Sequence, residues 1–283
     1  MRIGDVLEFS EAELRLAGIG DPMRDARWIV ADVLGRDSGT LRLFPEILIS
    51  ETELATIQEC IRARTLGQPV AQIIGKREFW GRDFRVSSDT LDPRPETEQI
   101  IAAALGGPPP TRILDLGTGT GCLLLTLLAE FPDAIGIGTD ISDAALSVAE
   151  ENAATHRLDD RATFVNADWL TGVEGQFDLI VSNPPYIPEA DMGALDRDVR
   201  DWEPHLALTP GGDGLDSYRR IASAIATVAA PNSRAILEFG AGQETAVAEI
   251  FATLPDCFIR LLSDMDGRDR VVIVEFGDKP GKS

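Results

Sequence analysis

The chain has 283 residues, 44% of them apolar, and a formal net charge of −21, enough length for one large core plus a smaller one. No charged-then-apolar leader opens it and no apolar run approaches the roughly 18 to 20 residues of a membrane span, so we expect a cytoplasmic protein with no membrane contact. The first 85 residues balance 12 Lys/Arg against 14 Asp/Glu, which puts the acidity in the C-terminal two-thirds and disfavours direct nucleic-acid binding, while three scattered cysteines and two histidines argue against a disulfide frame, a metal site or a histidine triad.

Residues 1 to about 66 read as helices. Asp21-Pro22 supplies a cap and first helical residue for the stretch carrying Trp28, Val30, Val33 and Leu34, and Gly35 stops it. Ser50 with Glu53 forms a capping box before Leu54, Ile57 and Ile61, and Gly67 terminates that helix. Aromatic runs split by turn residues over Glu78 to Val86 predict a hairpin linker. We therefore expect a helical domain over 1–75, a β-hairpin linker over 76–92 and a larger domain over 93–283, with Pro108-Pro-Pro110 as the hinge before its sheet.

From Thr111 onward strand-like and helical stretches alternate. The strands are expected at Arg112 to Leu116, Ala134 to Thr139, Ala162 to Asn166, Phe177 to Ser182 and Ala235 to Phe239, with helices over Cys122 to Glu130, Asp143 to Thr155, Leu215 to Ala229 and Gln243 to Leu254. Such alternation builds a mostly parallel sheet covered on both faces. Cys257 to Leu262 and Val271 to Phe276, flanking Asp264 to Asp269, are expected to close it as an antiparallel hairpin, giving seven strands in all.

Three groups of residues fall at successive strand ends. Asp115-Leu-Gly117-Thr118-Gly119-Thr120-Gly121 is a glycine loop that opens a helix, and its spacing differs from the dinucleotide fingerprint. Asp140 follows about 20 residues later, where a carboxylate can accept both ribose hydroxyls, or simply cap the next helix. Asp168 and Trp169 follow the third strand, as an acceptor for an adenine amino group and an apolar wall for the ring, or as an ordinary turn. After the fourth strand stands Asn183-Pro184-Pro185-Tyr186. A side-chain amide on a stiff Pro-Pro turn with an aromatic beside it can grip a flat NH2 group, although such a tetrapeptide taken alone is also a plain proline turn.

Several further stretches stand in order with these: Gln68 to Val70, Phe79 to Gly81, Pro93-Arg94-Pro95-Glu96-Thr97-Glu98, Phe177 to Pro188, Trp202 to Leu208, Gly211 to Leu215 and Gly267 to Arg270. Together they resemble the release factor glutamine methyltransferases, the HemK/PrmC family, over nearly the whole chain. The resemblance implies an α/β class I methyltransferase fold of Rossmann-like form. It implies methyl transfer from S-adenosylmethionine to N5 of the glutamine in the Gly-Gly-Gln motif of class 1 peptide-chain release factors, with S-adenosylhomocysteine as product. Carried over by position, Gly117 to Gly121, Asp140, Asp168 and Trp169 hold the cofactor with Asn183 beside it, and Asn183 to Tyr186 hold the glutamine. Gln72 and Asp92 depart from the residues expected of many members. The 1–75 region is expected to recognise the release factor together with the long polar segment 187–214, Arg94, Glu96 and Thr97 to line the approach or to serve a structural ion-pair role, and the protein to be a monomer. One rival reading is an amino-methyltransferase acting on adenine or cytosine in nucleic acid, since the same tetrapeptide suits a flipped base, and a second is a catalytically silent module that binds S-adenosylmethionine and a translation partner.

Overall fold

The computed structural model describes residues 1–263 and 267–277, so part of the expected 264–269 connection, and 278–283, lie outside the described residues. Among the described residues two compact units emerge, one of residues 1–76 with 195–202 and one of residues 77–194 with those from 203 onward.

The first unit is helical: α1 (Ile3–Leu16), α2 (Pro22–Val33), α3 (Thr40–Leu43), α4 (Glu51–Thr65) and α5 (Val70–Ile74). Asp21 caps α2 through the Arg24 amide with Pro22 in the first turn, and Ser50 and Glu53 form the reciprocal capping box of α4. Ile3, Val6, Leu14, Ile29, Val30, Ile57 and Ile61 form its core. Inside that unit Arg64 is buried, with Nε 2.8 Å from Asp25 Oδ2 and Nη1 donating to the carbonyls of Gly67 and Gln68.

A two-stranded ribbon, β1 (Lys76–Phe79) and β2 (Arg82–Arg85), belongs to the second unit apart from its first residue, Lys76. Phe79 and Phe84 bury into the core of this unit, and the Trp80 amide donates to Glu98 Oε1 at 2.8 Å. A short turn over Pro95–Thr97 leads into α6 (Glu98–Leu105). Then follow β3 (Arg112–Leu116), α7 (Cys122–Glu130), β4 (Ile135–Asp140), α8 (Asp143–His156), β5 (Ala162–Asn166) and β6 (Phe177–Ser182). The triple proline expected as a hinge sits inside this unit, where Arg234 donates to the carbonyls of Ala103, Ala104 and Pro108.

The segment 187–214, which shows no long apolar periodicity, is not one open loop. It forms a 3-10 turn (Glu189–Ala194), α9 (Arg197–Trp202) and α10 (His205–Leu208). These pieces are too short for a 3.6-residue pattern to register. The α9 stretch belongs to the helical unit, where Arg64 Nη2 meets Asp198 at 3.3 Å and Gln72 Nε2 donates to the Trp202 carbonyl at 3.0 Å.

The chain ends with α11 (Asp216–Ile225), β7 (Ala229–Glu238), α12 (Glu244–Phe251), β8 (Cys257–Ser263) and β9 (Asp269–Phe276). The seven strands run in the order β5-β4-β3-β6-β7-β9-β8, parallel through β7, with β9 antiparallel to both its neighbours. Alternate side chains feed the two faces. Ile113, Leu179, Val181, Ile236 and Ile273 pack with α6 and α7 residues, whereas Leu114, Leu116, Ile180, Leu237 and Val272 pack with Tyr218, Ile221, Val247 and Phe251 of α11 and α12. This is the α/β sheet the sequence predicts. After β5 the chain crosses to the other side of β3, so the crevice beyond the carboxyl ends of β3 and β6 is the topological switch point where such sheets bind ligands.

Candidate functional site

A cavity of about 470 Å³ opens at that switch point, and all of its lining residues belong to the sheet unit. Gly117, Thr118, Gly119, Thr120, Asp140, Asp168, Trp169, Asn183 and Pro185 line it, as do Arg94 and Thr97. Gly121, Pro184, Tyr186 and Glu96 stand off its wall.

The glycine loop takes the shape its residues allow. Gly117, Gly119 and Gly121 have φ of +68°, +55° and +78°, a region other residues rarely enter. Thr118 hydroxyl donates to Asp115 Oδ2 at 2.6 Å, and the Leu124 amide in α7 reaches the same oxygen. Burial drives the Asp115 carboxyl up to about 7 against the pull of the Thr118 bond. Gly138 in β4 keeps room beneath the loop, since a Cβ there would stand 2.8 Å from Thr118 Oγ1 and 2.8 Å from Phe164 Cδ1.

Asp140 clamps two backbone turns. Its Oδ2 accepts from the Gly119 amide at 3.0 Å and its Oδ1 from the Ser142 amide at 2.9 Å. Each oxygen keeps a further lone pair for a ligand, whereas the cap of the following helix α8 is Ser142, whose Oγ accepts from the Ala145 amide at 3.2 Å. The Trp169 backbone, at φ +56°, accepts from Thr139 Oγ1, and its ring edge lies 3.5 Å from where a Cβ on Gly117 would stand. Asp168 forms an ion pair with Arg220, another residue of the cavity wall. The pair is partly exposed.

The end of β6 is pinned to β3 by Ser182 Oγ, which donates to the Leu116 carbonyl at 2.7 Å. Beyond it, Ser217 Oγ donates to the Pro185 carbonyl at 3.1 Å and Gln243 Nε2 to the Tyr186 carbonyl at 2.9 Å. Among the described residues no protein donor meets the Pro184 carbonyl. Asn183 Nδ2 donates to Thr97 Oγ1 at 2.9 Å, which leaves Asn183 Oδ1 without a protein partner among the described residues. The turn thus presents two carbonyl oxygens, one from a side chain and one from the backbone.

Tyr186 sits as a core aromatic and not on the cavity wall. Its ring packs on the sheet core with its phenol near the Glu238 carboxylate, and Pro185 rather than Tyr186 forms the cavity wall. Burial, with Glu238 nearby, holds the Tyr186 phenol well above its ordinary range. Arg94 combines both expected roles, lining the cavity while its Nη2 lies 2.6 and 2.8 Å from the two carboxylate oxygens of buried Glu203. Sequence reasoning missed Glu238 altogether. It is 3% exposed at the end of β7, it accepts the Thr97 hydroxyl at 2.6 Å, and burial pushes its carboxyl up to about 7. The available signal was a lone carboxylate closing the apolar run Ala235-Ile-Leu-Glu238.

Among the described residues no cluster of His, Cys, Asp and Glu could hold a metal ion, and no helix is long and apolar enough to cross a membrane.

Comparison with known proteins bears on this site. Residues 87–200 match the family described as "Methyltransferase small domain", and residues 5–75 the one described as "PrmC N-terminal domain". A release factor glutamine methyltransferase of Cereibacter sphaeroides is 50% identical over 273 residues, covering 96% of this chain and 98% of the relative. A release factor glutamine methyltransferase of Rhodospirillum rubrum is 42% identical over 277 residues, covering 96% and 84%. Among solved structures, a methyltransferase from Pyrococcus furiosus superposes with a TM-score of 0.54 at 16% identity, over 78% of this chain and 98% of that one, a likeness of fold alone.

Proposed function

The chain belongs to the release factor glutamine methyltransferase family, and from that premise we propose how its own residues carry out the transfer. The protein is a class I methyltransferase that methylates the N5 side-chain nitrogen of glutamine in a release factor. We assign the target as the glutamine of the Gly-Gly-Gln motif of class 1 release factors, with Asn183 and Pro184 as the groups that grip it. The observation that carries this assignment is the turn geometry: Thr97 takes the Asn183 NH2, and the oxygens of Asn183 and Pro184 remain for a ligand.

The cavity suits S-adenosylmethionine in volume and in donor set. The backbone of Gly117 to Gly121 would cradle its methionine portion, Asp140 would accept its ribose hydroxyls, Asp168 its adenine amino group, and Trp169 would wall the ring. When bound, S-adenosylmethionine supplies an electrophilic methyl group on a positively charged sulfur and leaves as S-adenosylhomocysteine.

A primary amide is a poor nucleophile because its nitrogen lone pair is delocalised into the carbonyl. If Asn183 Oδ1 and the Pro184 carbonyl each accept one of its N–H bonds, the nitrogen gains electron density and a fixed orientation. As positive charge grows on that nitrogen, the hydrogen bonds that its two N–H groups donate to these oxygens strengthen. No side chain of the turn has to remove a proton beforehand, and the proton leaves afterward to water. Orientation of the reacting atoms contributes roughly 7 to 11 kcal/mol in well-aligned cases. In this reading the helical unit recognises the protein substrate, and the enzyme works in the cytoplasm as a monomer without direct nucleic-acid contact.

Tandem mass spectrometry of a release factor incubated with the protein and labelled cofactor tests the assignment. A single label on the Gly-Gly-Gln side chain is expected. Label on another residue, or only on added DNA or RNA, would overturn it.

A further inference from the structure

The Asn183 side chain is useful to a substrate NH2 group only in one of its two amide orientations. Rotated by half a turn, it would present hydrogens to hydrogens. Something must therefore set its polarity, and the structure places a fixed reference two hydrogen bonds away. Ser182 and Leu237 are register partners at the ends of β6 and β7, so Asn183 and Glu238 follow side by side. Thr97 lies between their side chains, accepting from Asn183 Nδ2 at 2.9 Å and donating to Glu238 Oε2 at 2.6 Å.

We propose that Glu238 is a positioning residue that fixes the polarity of the Asn183 amide through the Thr97 hydroxyl. The inference rests on the reading that Asn183 Oδ1 meets the substrate amide. A hydroxyl has one hydrogen, and an ionised carboxylate can only accept. The Thr97 hydrogen is thus committed to Glu238, at a distance in the charge-assisted range. Toward Asn183 the hydroxyl can then only accept, and it selects the NH2 end. A neutral, hydrogen-donating group at position 238 would free the Thr97 hydrogen to meet Asn183 Oδ1, and the NH2 would turn toward the substrate.

The surroundings keep Glu238 in place. The Tyr186 phenol lies near its carboxylate, and Tyr218, from α11, donates to its backbone carbonyl at 3.0 Å. The charged or titratable groups facing it are Glu96 before α6, Arg270 on β9, Cys122 on α7 and the two tyrosines. Arg270 favours the carboxylate while Glu96 and burial oppose it. Loss of the negative charge therefore falls within an accessible pH range and should release the relay.

The test uses the full chain as wild type, Glu238→Gln, Thr97→Val and Thr97→Ser, with a release factor carrying either glutamine or glutamate at the target position. Methylation of the glutamine form by wild type checks the underlying reading, and its absence would sink that reading rather than this one. Given wild-type activity, Glu238→Gln should lower kcat by about tenfold or more, the scale of one hydrogen bond reversed to a donor–donor contact, while the dissociation constant for S-adenosylhomocysteine holds. The wild-type kcat should rise with pH through about 7, and that limb should vanish in Glu238→Gln. The glutamate-bearing factor should inhibit Glu238→Gln better than wild type, because an inverted Asn183 offers it a donor. Thr97→Val should share the defect and Thr97→Ser should retain more activity than Thr97→Val, which reads the same relay should Glu238→Gln not fold. A Glu238→Gln enzyme with wild-type kcat, pH limb and inhibition, or a fully active Thr97→Val, would overturn the proposal.

Discussion

Asn183 and Thr97 lie 86 residues apart in sequence, yet the amide nitrogen of one stands 2.9 Å from the hydroxyl of the other. That contact disposes of the hydrogen-bonding half of Asn183 that a substrate amide cannot use. Asn183→Ala removes the remaining acceptor, and turnover should fall by roughly 10² to 10³, as for other lost preorganised partners. Calorimetric titration with S-adenosylhomocysteine should show cofactor affinity close to wild type. A variant with normal turnover would contradict the assigned role.

Gly138 tests the cofactor loop from below. An added methyl group would stand 2.8 Å from Thr118 Oγ1, so Gly138→Ala must displace Thr118 or Phe164. We expect a stability loss of roughly 1 to 3 kcal/mol, the usual scale of overpacking, and weaker cofactor binding. Thermal melts with and without S-adenosylhomocysteine separate the two effects.

Glu238 carries a pH signature in stability as well as in catalysis. Its carboxyl rises from 4.5 to about 7 on folding, so between these values the folded chain holds a proton that the unfolded chain releases. Stability from this group is present below 4.5 and is lost as the pH rises through about 7. Glu238→Gln escapes that loss, and above about pH 8 it should be more stable than wild type by on the order of 3 kcal/mol. The advantage should disappear in acid. Denaturant melts across the pH range read it directly, and equal stability at every pH would refute it.

Arg64 supports the helical unit through charge. It is buried against Asp25, which is only 1% exposed, and it also meets Asp198 of α9. Arg64→Ala leaves Asp25 buried without that guanidinium and should destabilise the unit by roughly 3 to 5 kcal/mol. Adding Asp25→Ala should recover part of the loss, since the two residues share one interaction. Strict additivity would show that the pair is not coupled.

The parts legible in the sequence are those with local causes. The glycine loop needs left-handed backbone at Gly117, Gly119 and Gly121, and only glycine enters that region freely. The Ser50–Glu53 capping box and the strand-and-helix alternation are equally local signals. The Asn183 turn was legible because proline stiffness and amide chemistry lie within four residues. What escaped notice depends on tertiary pairing. Glu238 gains its significance from Thr97, 141 positions away, and Tyr186 packs on the sheet core near Glu238 instead of on the cavity wall. Likewise α9 owes its place to Arg64 and Gln72, 134 and 130 residues from their partners in the chain, and no periodicity in six residues announces that.

The paired oxygens of Asn183 and Pro184 should welcome an NH2 group and repel a carboxylate oxygen. The most direct measurement is the single-turnover rate of methyl transfer to a release factor with glutamine, against the same factor with glutamate at that position. The account predicts a ratio of about 10⁴ or more, the scale for a polar site left unpaired. Comparable rates for the two would contradict it.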